Sequence, residues 1–237
     1  MNSKIKQICV FASSCNDIDK EYFKAAYNLG KEIAQNHYDI VYGGSTLGLM
    51  GEVTHAAKIN GSEVIGVMPE KLYNLGIDSG DCTKFILTKG MRERKAKMDE
   101  LSQAVIALAG GFGTLEELSE MIVQKQLGYS NKPIVLLNTN GYYNKLIEFF
   151  NDIISNNFAP KNCKNLFFVA NTAKEAIEYI NKEVNDHGKR EVRRIALVNE
   201  AVCQGCGACT VTCPSGAMDL NGFANLQIMA EVDAICK

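Results

Sequence analysis

Three stretches of the chain combine residue types at spacings that suit chemistry on an anion. Ala104-Val-Ile-Ala-Leu-Ala-Gly-Gly-Phe-Gly-Thr-Leu-Glu-Glu reads as a strand, a glycine-rich turn and a helix start. Glycines at Gly110, Gly111 and Gly113 let backbone come close to a ligand, and the unpaired N–H groups of the helix start favour an anion, so a phosphate is expected there. The turn matches neither GxGxxG nor the Walker pattern, whose lysine is absent, so dinucleotide and triphosphate readings lose ground. A reading without function stands beside this one. Thr114 and Glu117 have the T-x-x-E spacing of a capping box, which would account for both. A second cluster, Tyr42-Gly-Gly-Ser-Thr-Leu-Gly-Leu-Met-Gly, also follows a strand and opens a helix. The third stretch, Met91-Arg-Glu-Arg-Lys-Ala-Lys-Met, begins a helix straight after Gly90. Its Arg92, Arg94, Lys95 and Lys97 suit a phosphate clamp or a solvated face, and their place at a helix start favours function.

A fourth stretch suits metal chemistry. Of nine cysteines, Cys9, Cys15, Cys82 and Cys163 are scattered, whereas Cys203, Cys206, Cys209 and Cys213 crowd together and Cys236 is next to last. The crowded four reproduce the iron-sulfur run C-x-x-C-x-x-C-x-x-x-C-P; a zinc site or a relic is the alternative. In two-cluster ferredoxins the fourth cysteine of such a run serves the other cluster, yet this chain has a single run. The fourth ligand is therefore open between Cys213, Cys236, another cysteine and a thiolate of a second chain. His37, His55 and His187 are too dispersed for a metal site and read as ordinary helix or linker residues.

Something must hold these stretches in place. Apolar runs at Ile8–Ala12, Ile40–Tyr42, Val64–Met68, Phe85–Leu87, Ala104–Ala109, Ile134–Leu137 and Leu166–Ala170 alternate with helical patterns over Tyr22–Gln35, Leu47–Ile59, Arg92–Leu101, Leu115–Leu127, Tyr142–Ser155 and Ala173–Glu183. Leu115, Leu118 and Ile122 have the spacing of a buried helix face, and Gly128 then Pro133 end that helix. Strands joined by helices run parallel, which predicts an α/β, Rossmann-like doubly wound sheet with ligands at the carboxyl ends of its strands. This domain is expected over residues 1–185, a charged linker over 186–194, and a small ferredoxin-like segment over 195–237. That segment is too short for an ordinary apolar core and needs a metal centre, a docking surface or a partner.

Composition narrows the classes. Of 237 residues, 46% are hydrophobic and 22% charged, with a net charge of −2, which describes a globular chain with no basic footprint for nucleic acid and no apolar run long enough for a membrane. The opening lysines and short apolar run read as a first strand rather than a signal peptide, so a cytoplasmic location is expected. In a reducing compartment a disulfide framework is not expected.

GMRERKAKM followed by AGGFGTLEE resembles the paired signature of the LOG (Lonely Guy) family, cytokinin riboside 5'-monophosphate phosphoribohydrolases with a Rossmann-like fold. The resemblance runs to about residue 183. It implies a catalytic arginine at Arg94 and a catalytic glutamate at Glu117. It also implies a phosphate-binding turn of Gly110, Gly111, Gly113 and Thr114, and substrate contacts at Ser13, Ser14, Gly43, Gly44, Met91 and Lys95. Ala109, Ser45 and Ser13 depart from the family's proline and glycines, which bears on affinity and substrate preference rather than reaction type. The implied reaction cleaves the N-glycosidic bond of a nucleoside 5'-monophosphate without a cofactor, and a homodimer is implied as well. On this reading Glu117, in the first turn of its helix, is held ionised by the macrodipole and stabilises an oxocarbenium-like transition state. Lysine decarboxylation with pyridoxal phosphate finds no support. The tail resembles the ferredoxin end of heterodisulfide reductase A subunits, half of a two-cluster module, which implies a 4Fe-4S cluster and a redox partner. Two other readings remain: a nucleotide or molybdenum-cofactor carrier, and an electron-transfer adaptor.

Overall fold

The structure, a computed structural model, describes residues 7–76, 80 and 82–187. Cys203, Cys206, Cys209, Cys213, Cys236 and most of the charged linker lie outside the described residues. The chain separates into two units, Met1–Arg190 and Glu191–Lys237, and the architecture below is that of the first.

Seven strands form one sheet: β1 (Gln7–Phe11), β2 (Asp39–Tyr42), β3 (Val64–Pro69), β4 (Lys84–Thr88), β5 (Ala104–Ala107), β6 (Ile134–Leu137) and β7 (Phe168–Ala170). Their order is β4-β3-β2-β1-β5-β6-β7, and every pairing is parallel. Helices α1 (Lys20–Gln35), α2 (Gly48–Ile59), α3 (Glu70–Tyr73), α4 (Met91–Leu101), α5 (Phe112–Gln126), α6 (Asn144–Ser155) and α7 (Ala173–His187) connect them. Every apolar run became a strand, and the short α3 is an addition.

The period of two along each strand builds the layers. Ile8 and Val10 of β1, Ile40 and Tyr42 of β2, and Ala104 and Ile106 of β5 face one core with Leu29 and Ile33 of α1, Leu49 and Val53 of α2, and Ile177 of α7. The alternate residues, Cys9, Phe11, Val41, Val105 and Ala107, face a second core with Met98 of α4, Leu118 and Met121 of α5, and Tyr143. Each fully buried Ile, Leu or Val contributes on the order of 1.5–3 kcal/mol, so the two cores outweigh any helix propensity. The buried residues of α4 are Arg94 and Met98 alone, an unusually thin apolar hold. Ion pairs supplement it: Lys132 reaches Asp99, and Lys95 reaches Glu116 and Glu120 of α5.

One expectation about α5 is overturned. Leu115 does not belong to the buried face but is 37% exposed, and the buried residues are Thr114, Glu117, Leu118 and Met121. The polar pair Thr114 and Glu117 takes the inward position expected of Leu115, while Ile122 is partly buried against the second core as expected. Gly128, at φ 79°, closes the helix as the sequence indicated, with its N–H bonded to the Lys125 carbonyl.

β1 lies between β2 and β5, so the chain leaves its two central strands toward opposite faces, α1 on one and α5 on the other. The loops after them part, and a crevice opens at the carboxyl edge. Helix starts differ around it. Asp19 caps α1 through the Glu21 N–H at 2.9 Å, and Thr172 accepts from the Glu175 N–H at 3.2 Å in α7. Around the crevice, α2, α4 and α5 start after Leu47, Gly90 and Gly111 with no side-chain cap. Among the described residues no helix is long and apolar enough to cross a membrane.

Candidate active site

Arg94 is the fourth residue of α4, and its guanidinium is held along three edges. Nε donates to the Val67 carbonyl of β3 at 3.0 Å, and Nη1 donates to Glu117 Oε1 at 2.8 Å. Nη2 lies against Gly43, where a Cβ would sit 2.2 Å from it. The glycine after β2 is thus needed for close approach by an arginine. Both side chains of the ion pair are 10% exposed.

Glu117 is not a capping residue. The N-cap of α5 is Gly111, without a side-chain cap, which makes Thr114 the third helical residue and Glu117 the sixth. The T-x-x-E spacing falls inside the helix, and the capping-box reading fails. The first-turn argument fails with it, since the macrodipole acts over the first turn and Glu117 lies beyond it. Burial is the dominant influence and raises the Glu117 carboxyl above its usual range, while the charge and hydrogen bond of Arg94 oppose that rise. The ionised form is therefore held by Arg94. Cys9 and Phe11 of β1 and Met121 share the small cavity beside this carboxylate. Burial, with the Glu117 charge next in importance, pushes the Cys9 thiol far up, which leaves it protonated and unreactive.

The glycine-rich turn is a donor-only surface. The carbonyls of its residues are all engaged: Leu108 by the Tyr143 hydroxyl, Ala109 by the Ser13 N–H at 3.1 Å, Gly110 by the Tyr142 hydroxyl, and Gly111 by the Leu115 N–H at 3.1 Å. Among the described residues the N–H groups of Gly111, Phe112 and Gly113 have no partner. Such a run of free donors at a helix start suits a phosphate. A Cβ at Gly110 would stand 2.1 Å from Thr114 Oγ1, so the turn packs tightly on its own helix, whereas Gly111 and Gly113 face open space.

The other predicted residues gather on the same edge with one exception. Ser13 accepts at Oγ from the Cys15 N–H at 3.0 Å and at its carbonyl from the Met50 N–H at 3.3 Å, tying the β1 loop to α2. Ser14 is exposed beside it. Gly44, at φ 81°, turns the chain over Phe85 and Met68. Met91 is exposed at the start of α4, while Arg92 and Lys97 lie on its outer side, as a solvated face would. Lys95 is the exception, because its ammonium sits between Glu116 and Glu120 rather than standing free for phosphate. Sequence reading missed Asn16, whose Oδ1 accepts from the Gly48 N–H at 2.8 Å, and the two tyrosines. Among the described residues no group of His, Cys, Asp and Glu could hold a metal ion.

Residues 50–180 match the family model described as "Possible lysine decarboxylase". A probable cytokinin riboside 5'-monophosphate phosphoribohydrolase of Oryza sativa subsp. japonica is 40% identical over 189 residues, 80% of this chain and 78% of the relative. The chain belongs to the LOG family. Another such phosphoribohydrolase, from Arabidopsis thaliana, is 39% identical to this LOG-family chain over 80% of its length and 89% of the relative. Among solved structures, the molybdenum cofactor binding protein of Rippkaea orientalis shares the fold with a TM-score of 0.59 and 25% identity, covering 76% of this chain and 98% of that one. Residues 196–219 of the LOG-family chain match a 4Fe-4S binding domain model.

Proposed function

We propose that the protein hydrolyses the N-glycosidic bond of a nucleoside 5'-monophosphate, of cytokinin or simple purine type, to free base and ribose 5-phosphate. The observation that carries this reading is the buried Arg94–Glu117 pair beside a donor-only turn. The turn anchors the 5'-phosphate. As the bond from the anomeric carbon to the base nitrogen breaks, its electron pair leaves with the base and positive charge develops on the sugar. Glu117 stabilises that charge and takes the proton of the attacking water, whose oxygen bonds to the anomeric carbon, while the departing base gains a proton. Arg94 keeps Glu117 ionised and aimed. Ser13, Ser14, Gly43, Gly44, Met91 and Thr114 shape the substrate cleft.

A molybdenum-cofactor carrier would need the donor turn but has no use for the buried pair, which favours the enzyme. Decarboxylation through a pyridoxal Schiff base finds no support in Lys95, the lysine of the α4 motif, because its ammonium is paired with Glu116 and Glu120. Product analysis against a panel of nucleoside monophosphates tests the reading: free adenine and ribose 5-phosphate are expected from AMP, and substrate bound but returned intact would favour the carrier.

Lys95 gives a test with a pH axis. Glu117 acts ionised, so kcat/KM is expected to fall as pH drops through its raised value. Lys95 lowers that value and Glu116 raises it. Lys95→Met is therefore expected to move the acid limb to higher pH, and Lys95→Arg to restore it. A lysine that bound phosphate would instead raise KM with the limb unmoved. For stability the sign is opposite: a folded value above the unfolded one means that the contribution of Glu117 is lost as pH rises through it.

A homodimer is proposed on the apolar residues that α5 leaves exposed, Phe112, Leu115 and Val123, continued by Leu127. A cytoplasmic location is supported by the thiols of Cys9, Cys15 and Cys163, none of which forms a disulfide among the described residues. For the tail, we infer a 4Fe-4S cluster bound by Cys203, Cys206 and Cys209, with the fourth thiolate from Cys213, Cys236 or a second chain. The donor set, thiolates at two-residue intervals, fits a cubane. When bound, the cluster supplies one-electron transfer to a redox partner, a chemistry the hydrolysis does not use. Protein purified anaerobically is expected to carry about four irons per chain with equal acid-labile sulfide. Less than about one iron would overturn the assignment.

A further inference from the structure

The donor turn is held from outside by a segment that none of the motifs includes. Between β6 and α6 the chain makes a closed turn. The Asn138 N–H bonds to the Ala170 carbonyl at 2.8 Å, Asn138 Oδ1 accepts from the Tyr143 N–H at 2.8 Å, and the Tyr142 N–H bonds to the Thr139 carbonyl at 3.1 Å. Asn140 and Gly141 both have positive φ, which reverses the chain sharply enough to present consecutive tyrosines to the loop after β5. Tyr143 is buried, and its hydroxyl donates to the Leu108 carbonyl. Tyr142 is about half exposed, meets Tyr22 and Tyr143 edge-on, and donates to the Gly110 carbonyl.

We propose that Tyr142 is a positioning residue for the phosphate turn: by holding the Gly110 carbonyl, it fixes the Gly111 N–H in its donating orientation. The peptide joining Gly110 to Gly111 is planar and trans, so its C=O and N–H point in opposite directions. Wherever the carbonyl is held, the amide faces the other way. Flanked by two glycines, this peptide meets little steric resistance to turning over, and the turned form would offer a carbonyl oxygen where the phosphate needs a donor. The neighbouring peptides are held by backbone, through Ser13 and Leu115, but the Gly110 carbonyl is held by a side chain alone. Removing one hydroxyl therefore releases one peptide and leaves the rest of the turn in place.

The inference rests on the reading of this turn as a phosphate site. Tyr142→Phe in the full-length chain keeps the ring contacts and removes the hydroxyl. Relative to wild type, KM for AMP is expected to rise about five- to tenfold, the size of one net hydrogen bond, with kcat within about twofold. The preference for AMP over adenosine in kcat/KM should fall by the same factor. The rise in melting temperature given by ribose 5-phosphate should shrink, with the ligand-free melting temperature reporting that the variant is folded. A folded variant with an unchanged AMP-to-adenosine preference would overturn the role of Tyr142. A wild-type enzyme with no preference for the 5'-phosphate would overturn the reading of the turn, and the inference with it.

Discussion

Replacing Glu117 with glutamine is expected to lower kcat for nucleoside monophosphate hydrolysis by about 10²–10⁴-fold while leaving KM nearly unchanged. Glutamine has the shape of glutamate, and its carbonyl oxygen can still accept from Arg94 Nη1, now 2.8 Å from the carboxylate. Only the charge is lost. In a buried site a carboxylate close to a developing cation is worth far more than in water, so the loss falls on the transition state and spares the ground state. Stability should not suffer, because burial penalises the ionised carboxyl by more than Arg94 offsets, and the neutral amide escapes that penalty while still accepting from Arg94. Rates from chromatographic release of adenine, set beside a melting curve, check both expectations. Wild-type turnover in Glu117→Gln would remove Glu117 from the chemistry.

Gly43→Ala should produce the second largest loss, about 10²-fold in kcat/KM, although it adds a single methyl outside the reacting pair. The new Cβ would stand 2.2 Å from Arg94 Nη2 and 3.1 Å from Met50 Sδ. A long side chain normally swings aside. Here Nε is bonded to Val67 and Nη1 to Glu117, so the guanidinium can retreat only by dragging the carboxylate or breaking a bond. A shift of about 1 Å at a positioning group is enough for a loss of that size. The fold should tolerate the change better than the chemistry does, since Gly43 lies outside the positive-φ glycines. If both substitutions act on one pair, the double variant Gly43→Ala, Glu117→Gln should be little slower than Glu117→Gln alone, and additive losses would argue against a shared mechanism.

Much of this was legible in the sequence because it depends on period. Ile8, Cys9, Val10 and Phe11 must divide between two faces once β1 is a strand, and helical crossovers make the sheet parallel. The start of α5 was less legible. Apolar spacing pointed to Leu115, but the helix begins at Phe112, and a glycine N-cap leaves no side-chain signal. That offset of three residues turned an internal threonine and glutamate into an apparent cap. The partners of Lys95 were out of reach for a different reason, since pairing across α4 and α5 depends on how the helices rotate against each other. Arg94 did leave a physical trace. It lies four residues before Met98, on the one face that α4 buries, where an unpaired arginine would be costly. Tyr142 and Tyr143 follow an Asn-Gly turn, but nothing in their own spacing indicates which carbonyls they meet.

The central place of β1 also governs when the crevice can first form. Its partner β5 lies almost a hundred residues later, with Ile8 opposite Ala104, and the Ser13 N–H closes on the Ala109 carbonyl. The turn after β5 is held in turn by Tyr142. A chain emerging from the ribosome can assemble β1, α1, β2, α2 and β3 from neighbouring contacts while the crevice is still unbuilt, because long-range pairing waits for the later segments. The crevice is therefore complete only once the chain has been made through Tyr142, long after the strand at its centre.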